Sequence, residues 1–565
     1  MHPRSAASPP ADSCTGTLDE SSSTVIGVAA EEADLPWVME FFELFKTPWE
    51  PVSPGKRYRV VLSTSRTADI FDADVTLVYG ADELPVDRRF GATVTPRPGP
   101  VEAEWNGDAD SNGDRVPLYG RVASFAGELE TGQMRAGEAT VGYRRSCGTK
   151  TIHRFGYDLF AETAALLTSG QPTAQASSPA LELHIDIIRQ CVLQAHIPLV
   201  EIPPRPAGYS FVCCLTHDVD FFGIRRHAGD STLAGFIGRA TAGSAFEVLR
   251  GRRRIDEAIR NWASVASLPM VFLGRARDFW QPFDDYRRVE RGRHSTFFLI
   301  PFKGRPGVGP DGKSRSLRGA PYGVAEIRQD IADNSGPTTE FAVHGIDAWR
   351  DTDLGRAERE ELAKATGHEQ PGVRMHWLYF SQDSGRKLED AGFAYDSTWG
   401  YNDAVGYRAG TAQAFQLRGT RQFLELPLTI MDTALFYLDR MGLTRRQAMN
   451  RCRLIIQQLR RFGGALVVNW HDRSLAPERQ WARPYEALLN ELDANGVWFA
   501  KAGEAVEWFQ WRRAIRFVAT TSDVHVTAPA SPQLPGARIV VHRPTGAGMH
   551  TEEQTFLGGA HTVRV

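Results

Sequence analysis

Phe211–Asp220, FVCCLTHDVD, is a continuous apolar run that ends in ionisable side chains. Phe211 to Leu215 suit a parallel strand covered on both faces. Thr216, His217, Asp218 and Asp220 then arrive together at its carboxyl end, where α/β folds bind their ligands. Asp218 and Asp220 are two residues apart, so an extended backbone points both to one side. One carboxylate can hold a metal while the other takes a proton. The same residues also suit a helix cap and a turn aspartate.

The rhythm downstream of this stretch predicts the fold class. Strands are predicted at His294–Pro301, Glu340–Gly345, Gly372–Tyr379, Phe393–Thr398, Phe423–Asp432, Gly464–Asp472 and Asn495–Ala500. Helical periodicity fills 324–333, 354–366, 381–391, 443–462 and 482–494 between them. Alternating strands and helices imply a parallel sheet, and this many repeats over 207–515 imply a distorted (β/α) barrel of about seven strands. An arginine-rich insertion, 223–290, follows the first strand, and a Gly-, Lys- and Arg-rich loop, 303–323, follows the second. Both should lie on the active face and shape the substrate entrance, the loop being mobile.

With 565 residues the chain should hold two or three domains. Residues 1–34 read as a disordered leader without the apolar core of a signal peptide. Residues 36–200 read as an N-terminal α/β domain. In it, Leu35–Leu44, Tyr157–Leu167 and Leu181–Ala195 are predicted helices, Arg59–Ser63 and Val75–Tyr79 strands, and Pro98–Asp114 loop. Residues 516–565 read as a small C-terminal β-rich appendage. Lys plus Arg number 65 against 68 Asp plus Glu, which gives no support to a nucleic-acid partner. No uncharged run reaches the roughly 18 residues of a membrane span. The six cysteines form no CxxC pair and read as reduced core residues of a cytoplasmic protein. Nothing sets the oligomeric state.

Polar residues recur at the predicted strand ends. His344 and His471 each close an apolar run. A lone histidine there can be structural, but with Asp218 and Asp220 these two form a ligand set suited to zinc or another divalent first-row metal. Arg374 lies between the apolar Val373 and Met375, where an unpaired guanidinium is costly, so a rim carboxylate such as Asp218 is its natural partner. His376 reads equally as third ligand, as support for a ligand or as a core histidine.

Thr216–Asp220 (THDVD) resembles the first motif, T-F-D-D-G, of the polysaccharide deacetylases, carbohydrate esterase family four. Ser295–Ile300 (STFFLI) resembles that family's second strand. His344, Arg374, Asp396 and His471 follow in the family's order. GVRMHWLYF, YDSTWGY, GYRAGT and ELPLTIMD resemble a bacterial branch with H-D-V-D in the first motif and an extra N-terminal domain. The resemblance implies a barrel enzyme that hydrolyses N- or O-acetyl groups on a carbohydrate. It implies Asp218 as general base, Asp220 and His344 as ligands of a divalent metal, zinc first, and His471 as general acid. Val219 stands at the usual ligand position, and Ala348 replaces the second histidine of the H-S/T-x-x-H motif, leaving Asp347 and His376 as candidates for the third ligand.

The chemistry suits these roles. An amide carbonyl is a poor electrophile and its amine a poor leaving group, so a cation, a base and an acid are all useful. Arg374 can orient Asp218 and hold its pKa down. Trp377, Trp399, Tyr401 and Arg408 are the candidates for contacting a sugar. Two other readings are a non-catalytic sugar-binding barrel and a hydrolase of another non-peptide C–N bond.

Overall fold

The computed structural model describes residues 23–66, 71–107, 113–251, 253–315, 319–530, 533–546 and 548–565. Its central sheet is built from the predicted parallel strands. β1 (Val212–Val219), β2 (Ser295–Leu299), β3 (Thr339–Gly345), β4 (Val373–Met375) and β5 (Tyr395–Asp396) lie side by side in that order, each parallel to the next. β6 (Leu424–Glu425) parallels β5, while β7 (Ile430–Met431) parallels β8 (Ala465–Asn469), which returns to β1. β6 and β7 are the two ends of one segment. Leu426 N and Leu428 N donate to Asp396 O and Trp399 O at 2.8 and 3.1 Å, and Thr429 N donates to Val467 O at 3.1 Å. Residues 424–431 therefore bridge both edges of the sheet. β9 (Trp498–Phe499) pairs the first half of β1.

Every residue of β1 is buried, as the apolar run requires. Cys213 and Cys214 fill it as free thiols. The helices start and stop where local chemistry directs. Asp351 accepts from Leu354 N at 2.9 Å to open Thr352–Thr366, and Gly367 at φ 71° closes it. Thr444 and Gln447 form a capping box at the start of Arg445–Phe462.

Residues 23–201 form a second body around an 11-stranded mixed sheet. Tyr58–Ser63, Ala73–Tyr79 and the helices Leu35–Phe45, Leu159–Thr168 and Ala180–Gln194 fall where predicted. Two expectations change. Ser23–Ala29, counted in the leader, is a strand parallel to Tyr58–Ser63, while residues 1–22 lie outside the described residues. Within 98–114, read as loop, Val101–Trp105 pairs Asp114–Leu118 antiparallel, with 108–112 outside the described residues. Asp114–Leu118 carries Pro117 and ends the sheet order, the place where a strand tolerates proline. Of the C-terminal strands, Ala537–Thr545 pairs Leu199–Glu201 antiparallel.

The insertion after β1 is helical: Ser231–Gly238, Ser244–Leu249, Ile255–Phe272 and Pro282–Glu290. Phe236, Leu268 and Trp280 belong to a small core that also takes in Ala476.

Candidate functional site

Strand register brings the polar residues together. Val219, Leu299, Val343 and Val373 stand in one row across β1 to β4, so Asp220, His344 and Arg374 share the next row. On the other side of β1, Thr216 pairs Asn469, which sets Asp218 level with His471. A cavity of about 230 Å³ opens above this edge. Its lining includes Asp218, Asp220, His344, His376, Trp377 and His471.

Asp220, His344 and His376 converge. Asp220 Oδ1 is 3.4 Å from both His344 Nε2 and His376 Nδ1, which are 2.8 Å from each other. His344 Nδ1 lies 3.0 Å from Arg374 O; a carbonyl only accepts, so Nδ1 carries the hydrogen and Nε2 presents its lone pair to the cluster. Burial pushes the His376 imidazole down to about 3, against the pull of Asp220, which keeps it neutral. Burial pushes the Asp220 carboxyl up, but His376, then His344 and His471, hold it well below the usual carboxylate range. Asp220 Oδ1 is buried and accepts no hydrogen bond from the described residues. One carboxylate oxygen and two imidazole nitrogens within 4.8 Å of one another fit a divalent cation.

His376 is presented by an irregular turn. The strand expected over 372–379 stops at Met375, and Trp377 and Leu378 follow in left-handed backbone, at φ 61° and 56°. Neither is glycine, so this turn is locally strained. The Trp377 ring lies against the imidazole of His376 with centroids 3.8 Å apart. Asp347, the alternative third ligand, is engaged elsewhere: its Oδ1 accepts from Arg350 Nε at 2.7 Å and Val308 N at 3.1 Å.

Asp218 sits between two donors. Arg374 Nη1 donates to Oδ1 at 2.9 Å and Asn469 Nδ2 to Oδ2 at 2.7 Å. Burial raises the Asp218 carboxyl, yet Arg374, then His344 and His471, hold it below its ordinary value. Arg374 is fully buried and its other donors reach Thr216 Oγ1, Ser397 O and Ser397 Oγ, all at 2.8–2.9 Å. Breaking such a buried pair costs roughly 3–5 kcal/mol.

His471 is held by Asp432, at the end of β7. His471 Nδ1 is 2.6 Å from Asp432 Oδ1, and His471 N donates to Asp432 Oδ2 at 2.8 Å. Ser474 Oγ also donates to Asp432. Burial disfavours a charged imidazole here, but Asp432 outweighs it, with help from Asp220 and Asp218, and the pKa rises to about 9. Asp432, Asn469 and Asp472 were not singled out from sequence. Asp432 and Asp472 were visible as the final residues of two predicted strands, but nothing local shows that Asp432 faces His471. Asp472 accepts from Phe221 N at 2.8 Å and Phe222 N at 3.3 Å; burial, then Asp220, push it up to about 6.

Three of the expected sugar contacts lie elsewhere. Trp399, Tyr401 and Arg408 do not line the cavity. Trp399 is buried against Phe380 and Phe415, with the Arg408 guanidinium 5.2 Å from its ring centre. Tyr401 Oη donates to Gln171 O at 2.7 Å, and Gln171 N to Arg408 O at 2.8 Å, so the trio joins the central sheet to the N-terminal body. Trp399→Ala should therefore cost about 3–5 kcal/mol in urea melts, with the folded fraction's KM unchanged. A raised KM at unchanged stability would restore the contact role. The insertion and the loop also supply no lining residue among those described. The loop is tied down by Val308 N on Asp347 and by Tyr322 Oη, which donates to Val219 O, while 316–318 lie outside the described residues.

No protein-family model and no curated protein matches the chain. Among solved structures, a protein of Mycobacterium smegmatis assigned as a polysaccharide deacetylase is similar at 18% identity and a TM-score of 0.32, over 55% of this chain and 95% of that one. One so assigned from Pseudomonas aeruginosa PAO1 is similar at 16% identity and a TM-score of 0.32, over 54% and 92%. Puue allantoinase is similar at 13% identity and a TM-score of 0.33, over 55% and 93%.

Proposed function

We propose, from the site's own geometry, that the chain is a metal-dependent hydrolase. Its substrate is an N- or O-acetylated carbohydrate, and its scaffold a distorted (β/α) barrel of about seven strands. The H-D-V-D stretch and the order of strand-end residues support a place among the polysaccharide deacetylases. One observation carries the reading: three separate devices face one cavity. They are the cluster of Asp220, His344 and His376, the Asp218–Arg374 pair and the His471–Asp432 pair.

Asp220, His344 and His376 would hold the cation, zinc by their ligand types. Bound there, it would supply the positive charge that polarises an acyl carbonyl and acidifies water. Asp218 accepts a proton from the attacking water. Arg374 and Asn469 fix its carboxylate, and the charge of Arg374 keeps it ionised and ready to accept. His471, charged near neutral pH, gives its proton to the departing amine or alcohol, and Asp432 orients the ring and stabilises the charged form. Trp377 offers an aromatic wall on which a sugar face can stack.

The test is elemental analysis of protein purified with supplied zinc, beside acetate release from acetylated chitooligosaccharide and acetylated xylan. The wild type should hold about one divalent ion per chain. Asp220→Ala, His344→Ala and His376→Ala should each lose both the ion and acetate release. A wild type that takes up no metal, or variants that keep full acetate release, would defeat the reading.

A further inference from the structure

The outer face of the insertion is the chain's most exposed apolar surface. Among the described residues, nine of fourteen exposed large apolar side chains fall within 237–273. Helix Ile255–Phe272 carries the densest part. Ile255, Ile259, Trp262, Met270 and Leu273, just past its end, are 41–67% exposed. Their spacing of four, three, eight and three residues makes one continuous stripe along the helix. The opposite face, which packs inward, carries Glu257, Asn261 and Ser264 beside Ala258, Leu268 and Val271. The helix is thus at least as apolar outside as inside, the reverse of a surface helix of a water-soluble protein. Phe246 and Leu249, 50% and 86% exposed, extend the surface from the preceding helix.

Charge identifies the occupant. Residues 237–277 hold eight arginines, three acids and no lysine, a net +5, so with a total of −3 the rest of the chain carries −8. Arg239, Arg250 and Arg275 have no carboxylate at salt-bridge distance among the described residues. Guanidinium groups around an apolar stripe that includes tryptophan match a bilayer interface with anionic phosphate headgroups. A second copy of the chain suits this face poorly, because a two-fold pairing would set the arginines against their own counterparts. Among the described residues no helix is long and apolar enough to cross a membrane, so this helix of about 27 Å would lie along one.

We propose that the outer face of residues 237–277 docks on an anionic membrane surface. The inner face packs on the segment that follows His471. Gln480 Nε2 donates to Glu257 O at 2.8 Å, Arg253 Nη2 to Glu478 O at 3.2 Å, and the Arg473 guanidinium sits 4.8 Å from the Trp280 ring centre. Docking therefore holds the cavity's rim close to the bilayer. This holds whatever reaction the cavity performs.

The test is flotation of the full chain with vesicles of phosphatidylcholine alone and of phosphatidylcholine mixed with phosphatidylglycerol. The protein should float with the anionic vesicles, weakly with the neutral ones, and less as salt rises. The triple variant Ile259→Ser, Trp262→Ser, Met270→Ser should lower the bound fraction at least about tenfold. Arg250→Gln with Arg275→Gln should lower it about tenfold on anionic vesicles and shift release to lower salt. Circular-dichroism melts should match the wild type for the arginine variant and should show the triple variant folded but somewhat less stable, since Trp262 is only 41% exposed and its Nε1 donates to Thr241 O. If the triple variant misfolds, the two vesicle types and the arginine variant still decide. No flotation, or equal flotation with both vesicle types that neither variant changes, would overturn the proposal. So would a dimer in sedimentation velocity that the triple variant dissolves, because a second copy would then be the occupant.

Discussion

Replacing Asp218 by Asn is expected to lower acetate release about 100- to 10,000-fold and to leave metal content at the wild-type level. Asn keeps the shape but cannot take a proton. The two carboxylates are separated in space: Asp220 Oδ1 faces His344 and His376, while both oxygens of Asp218 are occupied by Arg374 and Asn469. The Asn side chain can still accept from Arg374, but its amide then faces the Asn469 amide, donor against donor. A stability loss of about 3–5 kcal/mol is expected beside the kinetic one, because the buried charge of Arg374 loses its counter-charge. Kinetics are therefore read on the fraction shown folded by a urea melt. Unchanged turnover there would end the assignment of Asp218 as the base. Loss of metal in the same protein would instead make Asp218 a ligand.

His471→Ala is expected to slow amide substrates about 100- to 10,000-fold and activated esters far less. An activated leaving group departs without a proton, whereas an amine does not. Equal loss on both substrate types would defeat the acid role, and equal loss together with lost metal would make His471 a ligand. A purely structural His471 would cost roughly 1–3 kcal/mol of stability from its unpaired buried partner, with the folded fraction fully active. The Asp432 partnership adds a pH signature in metal-free protein. The folded His471 pKa of about 9 lies above its ordinary value of 6.5. The resulting stabilisation is complete below about pH 6.5 and is lost as pH rises through about 9. Asp432 is held low by His471 against its burial, so its own contribution disappears as pH falls through its folded value. Asp432→Asn should flatten the alkaline fall in melting temperature between these limits. A variant whose pH curve matches the wild type would show that Asp432 does not set the His471 charge.

The alternation of apolar strands with amphipathic helices was legible because a parallel sheet buried on both faces needs unbroken apolar strands, whose polar residues then mark their ends. That logic brought Asp218, Asp220, His344, Arg374 and His471 into view, each reported by its immediate neighbours in the chain. Other features depended on contacts the chain does not encode locally. The bridging of both sheet edges by residues 424–431 rests on hydrogen bonds to Asp396, Trp399 and Val467. The position of His376 rests on two consecutive left-handed residues, Trp377 and Leu378, at a place with no glycine to announce them. Trp399, Tyr401 and Arg408 look like a sugar platform in one dimension, because aromatics beside a strand end suit binding and packing equally well. Gln171, more than 200 residues away, makes them an interdomain joint. The outward stripe of Ile255–Phe272 was hidden for the same reason: periodicity shows that a helix has apolar positions, but only packing shows which of them the protein leaves uncovered.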